Sequence, residues 1–93
     1  MKATLNGRTI AESDDIVECH GYQYFPLAAA RMEWLEKTPR TPKDLECPHD
    51  VQFYDVVIDG KRTPRAAWIY EAPLPRMKQV TDRVGFWHEV QVG

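Results

Sequence analysis

No stretch of this chain approaches the roughly 20 consecutive apolar residues that a membrane-crossing helix takes, and nothing after Met1 forms the apolar core of a secretion signal. The opening residues Lys2-Ala3-Thr4-Leu5 instead begin a strand pattern, so a cytoplasmic protein with no membrane partner is expected. Cysteine is scarce. Cys19 and Cys47 are the only two, too few for a disulfide scaffold and expected as free thiols. A basic excess is also missing: 12 Lys and Arg stand against 14 Asp and Glu, for a net charge of -2, which argues against nucleic acid as a partner. The small basic patch at Lys61, Arg62 and Arg65 reads as a solvated turn. There is no Cys-x-x-Cys, and His20, His49 and His88 are scattered, so no metal and no other cofactor is implied. A Gly-rich phosphate loop is absent too.

What is present suits one modest core. Hydrophobic residues make up 43% of 93 and aromatics 11%, enough for a single domain over residues 1–93 near the small end of independent folders. Charged residues at 28% leave the composition well short of disorder. Neither a repeat nor a low-complexity tract interrupts it.

The longest β-branched and aromatic run is Val51-Gln52-Phe53-Tyr54-Asp55-Val56-Val57-Ile58, followed by Asp59-Gly60 and a second aromatic strand ending Trp68-Ile69-Tyr70. That is the pattern of a central β-hairpin. Pro64 cannot donate a ladder hydrogen bond, so a loop or bulge is expected between Gly60 and Arg65. Asn6-Gly7 predicts a first hairpin with strands at 2–5 and 8–12. His20-Gly21 separates strands at 16–19 and 22–25. Pro26 is expected to stop the latter and to start a short helix from Leu27, with Met32 to Glu36 ambiguous between helix and strand. Residues 37–46 read as an aperiodic surface loop, Arg76 to Val80 as a brief helix, and Val84–Trp87 and Val90–Val92 as closing strands. The expectation is a mainly β domain of short antiparallel strands with one or two helical turns and less than about a quarter helix.

The order Tyr24-Phe25-Pro26, Arg31-Met32-Glu33-x-Leu35, Cys47-Pro48, Tyr54-Asp55-Val56-x-x-Asp59-Gly60, Ala67-Trp68-x-Tyr70-x-x-Pro73 and Gly85-Phe86 resembles the small bacterial domain of unknown function 427. The likeness covers nearly the whole chain. It implies a β-tent of two packed sheets, the architecture also seen in methionine-R-sulfoxide reductases, and carries a nucleotidyltransferase label. The family usually follows Cys-Pro with a step like Lys-Gly, where this chain has His49-Asp50. The label is at odds with the residues: Asp55 and Asp59 bracket one strand and its turn, with no Gly-Ser dipeptide before them to hold a triphosphate.

Two sites suggest themselves. Arg31 can clamp a carboxylate or phosphate in two-pronged fashion, with Glu33 holding the guanidinium or acting as a base. Trp68 and Tyr70 share a strand face, and Phe53 or Tyr54, according to register, stands across from them. The expectation is a pocket between sheets, with Arg31 and Glu33 as anchors and Tyr54, Trp68 and Tyr70 as the far wall, for a small molecule bearing an acidic or carbonyl group. The plainer reading is an internal ion pair at the edge of the sheet and an ordinary aromatic core. The alternative function is a thiol-dependent enzyme or redox module using Cys47 with His49. Its plainer counterpart, a small buried cysteine closing a loop, is favoured. The ligand, the reaction and the choice between monomer and homo-oligomer stay open.

Overall fold

A computed structural model describes residues 1–93. Its framework comes from three two-residue turns. Asn6, His20 and Asp59 have φ of 50°, 52° and 52°, and the glycines that follow have 80°, 84° and 79°. Paired left-handed residues make the turn whose twist matches that of antiparallel strands, and glycine takes the second place without strain. These turns join β1 (Lys2–Leu5) to β2 (Arg8–Glu12), β3 (Val17–Cys19) to β4 (Tyr22–Pro26), and β6 (Val51–Ile58) to β7 (Lys61–Tyr70). β5 (Leu35–Lys37), β8 (Arg83–Phe86) and β9 (Gln91–Val92) complete two antiparallel sheets, ordered β2-β1-β9 and β3-β4-β8-β7-β6-β5. Strands take 48% of the residues and helical turns 17%, the mainly β balance expected.

Three local expectations need adjustment. Pro26 is the last residue of β4 rather than a stop before it, and single 3-10 turns at Leu27–Ala29 and Met32–Trp34 replace the expected short helix before β5. The 37–46 segment is not wholly irregular. It contains α1 (Pro42–Leu45), held by a reciprocal cap in which the Asp44 amide donates to the Thr41 hydroxyl and the Thr41 amide donates to the Asp44 carboxylate. Finally, β7 begins before Pro64 and takes it into a bulge. Tyr54 pairs with Ala67 but Val56 with Thr63, so Asp55 stands opposite three residues. Arg65 there has φ 51°, and its amide donates to Asp55 Oδ1 at 2.9 Å.

The bulge shifts the pairing beyond it by two residues and so keeps the alternation of inward and outward side chains. Ala3, Leu5 and Ile10 from the small sheet pack against Phe25, Tyr54, Val56 and Ile69 from the large one, forming the inter-sheet core. The outer face of the large sheet carries a second cluster of Cys19, Tyr24, Val51 and Trp68, capped by Met77 and Val80 of the 3-10 segment Pro75–Val80. Trp68 lies against Gly85, where a methyl group would meet the indole at 2.7 Å.

Candidate functional site

Directly opposed residues of an antiparallel pair point to the same face. Leu5 is paired with Arg8, Ile58 with Lys61, and Val56 with Thr63. Leu5, Val56 and Ile58 belong to the inter-sheet core, so Arg8, Lys61 and Thr63 project toward the space between the sheets. There, beside the tips of the first and third hairpins, a cavity of about 380 Å³ opens. Asn6 and Asp59 complete its polar wall, and Leu5 and Ile58 are its apolar floor. Arg8 Nη2 reaches Asp59 Oδ2 at 2.5 Å, tying one hairpin tip to the other. Lys61 forms no ion pair. Thr63 is only 5% exposed, yet its hydroxyl has no hydrogen-bond partner in the protein. The volume is in the range typical of small-molecule sites.

A second cleft of about 240 Å³ lies farther along the same hairpin. Its floor is Leu27, Met32 and Ile69, with Tyr54 and Tyr70 beside them and Glu71 and Asp82 at the polar side. Burial, with the nearby Glu71 charge adding to it, pushes the Tyr54 phenol up, and Arg40 pulls the other way. Arg40 is the hub of this region: its guanidinium donates to Asp50, Glu71 and the Gln52 side chain.

Of the five ligand-binding residues expected from the sequence, Tyr54 and Tyr70 come together in this second cleft. Arg31 and Glu33 flank Met32 but do not line it. Their side chains are 60% and 65% exposed, 3.9 Å apart, and the Arg31 guanidinium sits over the Trp34 ring at 5.1 Å. Trp68 is on the other face of the sheet from Tyr54, because the register sets Phe53, not Tyr54, opposite it. Those two residues therefore cannot wall one pocket. On its own face Trp68 meets Tyr22 and Trp87 edge-on, at 5.0 and 5.1 Å between ring centres. Its indole N–H is fully buried without a bonded acceptor. The neighbouring Tyr24 phenol lies close enough to feel it but outside hydrogen-bonding geometry. Burial drives the Tyr24 phenol far above its usual range, with the Trp68 N–H opposing that shift and the Tyr70 phenol adding to it.

The Cys47–His49 pair does not assemble as a nucleophile and its base. Cys47 is half-buried, while His49 is buried with its ring edge-on to Tyr70 at 5.4 Å. His49 Nδ1 accepts the Leu74 amide at 2.9 Å, which leaves the ring proton on Nε2. Burial pulls the His49 pKa down, aided by the Arg76 and His20 charges. No hydrogen bond joins the imidazole to the thiol. A neutral ring engaged by backbone is a poor source of the imidazolium that a thiolate needs.

With this geometry in place, comparison with known families gives a match to the family described as Domain of unknown function (DUF427), over residues 1–93. The chain belongs to the DUF427 family. A search of curated proteins finds no match. The family model's short name, NTP_transf_9, alludes to nucleotidyl transfer although its description gives no function, and Asp55 here is bonded to Arg62 and the Arg65 amide, and Asp59 to Arg8. The two are not a free carboxylate pair. Sequence reasoning missed Arg8, Lys61, Thr63 and Arg40. For the first two a signal existed: each directly follows a two-residue turn, opposite an apolar partner that faces the core.

Proposed function

We propose that this DUF427 domain binds a small molecule carrying an acidic or carbonyl group in the cavity between its sheets, beside the hairpin tips. The observation that supports this reading is the pair of inward-directed cations at the end of an apolar core. Soluble cores normally close with their charges turned to water. Here Arg8 and Lys61, although exposed, share the core-facing side of their hairpins with Leu5 and Ile58 and line the mouth of the cavity with them. Lys61 has no carboxylate to neutralise it, and the Thr63 hydroxyl beside it is unbonded. A ligand carboxylate meeting Lys61, with Thr63 donating to a second oxygen, satisfies both groups at once, and charge-assisted bonds of this kind are the stronger ones. Arg8, already held by Asp59, borders the site. Arg31 and Glu33 take no part in this reading.

The test is to release and identify by mass spectrometry whatever small molecule accompanies the purified protein, for wild type and for Lys61→Gln. The variant removes an exposed charge that no ion pair uses, so the fold is expected to stand. The expected result is an acidic or carbonyl compound recovered from wild type and depleted in the variant. Equal recovery from both, or a compound with neither group, would overturn the reading.

A further inference from the structure

The Tyr54 cleft differs in chemistry from the cavity at the hairpin tips. Its lining holds two carboxylates, Glu71 and Asp82, and no cation. Arg40 and Lys37 bond Glu71 from outside the lining. Asp82 forms no ion pair, and its backbone is held in the left-handed region (φ 56°), with its carbonyl accepting the Leu27 amide at 3.1 Å. A separate observation points to an occupant. Tyr54 is 6% exposed and lines the cleft, and its hydroxyl bonds to nothing in the protein, so the phenol tip is left to the open space of the cleft. The floor of Leu27, Met32 and Ile69 is apolar. A volume of about 240 Å³ has room for roughly eight water-sized groups.

We infer that this cleft is a second binding site, for a small amphipathic amine whose apolar body lies on Leu27, Met32 and Ile69 and whose ammonium meets Asp82, with the Tyr54 hydroxyl bonded alongside. An anion of the same shape would face Asp82 and Glu71 with nothing in the lining to compensate it. An ammonium gains an unpaired carboxylate at the edge of an apolar groove, where the local dielectric is lower than in water and the attraction is stronger. The Tyr54 ring adds a face that favours a cation over an anion.

The probe is phenethylamine, titrated into the full chain and followed by NMR at the Met32 methyl and the Tyr54 ring, with 3-phenylpropionate as the charge-reversed analogue. Phenethylamine is expected to give saturable shifts at both residues, and phenylpropionate none there. Asp82→Asn keeps a residue that tolerates the left-handed backbone and is expected to weaken amine binding about tenfold. Tyr54→Phe keeps the ring and is expected to weaken it less. Lys61→Gln, at the other cavity, is expected to leave the titration unchanged, which separates this inference from the proposal above. Equal binding of the two probes, amine shifts that map elsewhere, no binding, or undiminished affinity in Asp82→Asn would each overturn it.

Discussion

Gly85→Ala is the sharpest probe of the outer aromatic layer. A Cβ at this position would stand 2.7 Å from Trp68 Cζ2, 2.9 Å from Cε2 and 3.1 Å from Tyr24 Cε2. Gly85 pairs with both Tyr24 and Trp68 on its neighbouring strands, so the two rings converge on the space its missing side chain leaves. Two effects oppose each other. The backbone of Gly85 is not left-handed, so alanine fits it, and restricting the unfolded chain alone would stabilise the protein by about 0.4–1 kcal/mol. Overpacking costs about 1–3 kcal/mol when rigid groups must shift. Here the obstacle is the fused edge of an indole that is 4% exposed, not the tip of a flexible chain. The steric cost wins, for a net loss of about 1–2 kcal/mol. A domain of this size loses roughly 4–8 °C in Tm per kcal/mol. Thermal unfolding followed by tryptophan fluorescence reads it directly, and Trp68→Phe in the same background is expected to recover part of the loss. A Tm equal to or above wild type in Gly85→Ala would refute the close packing of Trp68 on β8.

Acid unfolding tests α1. The Arg65 guanidinium, bonded to both carboxylate oxygens, holds the Asp44 carboxyl down to about 2 from an ordinary 3.8, against the opposing effect of burial. A depressed carboxylate lends stability that is complete above pH 4 and lost as pH falls toward 2; Asp44→Asn is expected to flatten stability over that window, and an unchanged acid limb would contradict the pairing. His49 acts at a higher pH. Its pKa is lowered in the folded state, chiefly by burial, so the unfolded chain takes up a proton first and stability falls as pH drops below about 6.5. Gln can still accept the Leu74 amide, and His49→Gln is expected to remove this dependence while leaving Cys47 alkylation unchanged across the same range; slower alkylation in the variant would revive the thiol reading.

The hairpins were legible because their signals are local. Asn6-Gly7, His20-Gly21 and Asp59-Gly60 demand left-handed pairs wherever they occur, and the alternating runs on either side leave little choice of partner. Which residue of β7 stands opposite which residue of β6 beyond Val56 was not legible. It depends on a bulge stabilised by Asp55 reaching the Arg65 amide across the strand pair, and Pro64 signals that a bulge exists without giving its size. Two extra residues there leave the alternation of faces intact and move only the partners, setting Phe53 rather than Val51 opposite Trp68, while Tyr54 stays on the other face. Arg31 and Glu33 were conspicuous by spacing, yet the 3-10 turn at Met32 leaves both in water, with Arg31 lying on Trp34. Thr41-Pro42-x-Asp44 carried a helix-cap signature that the two prolines of the loop obscured. Arg40 had no local signal, since its partners Asp50, Gln52 and Glu71 are brought to it only by the folded sheet.

The account turns on the inward-facing cations at the hairpin tips. Amide chemical-shift mapping of the isotope-labelled full chain during titration with benzoate, and with benzyl alcohol as the uncharged control, tests it most directly. The account predicts saturable benzoate shifts at Asn6, Lys61 and Thr63, weak or absent shifts with benzyl alcohol, and loss of the benzoate response in Lys61→Gln. Benzoate shifts that cluster away from these residues, or that persist at equal affinity in Lys61→Gln, would contradict it.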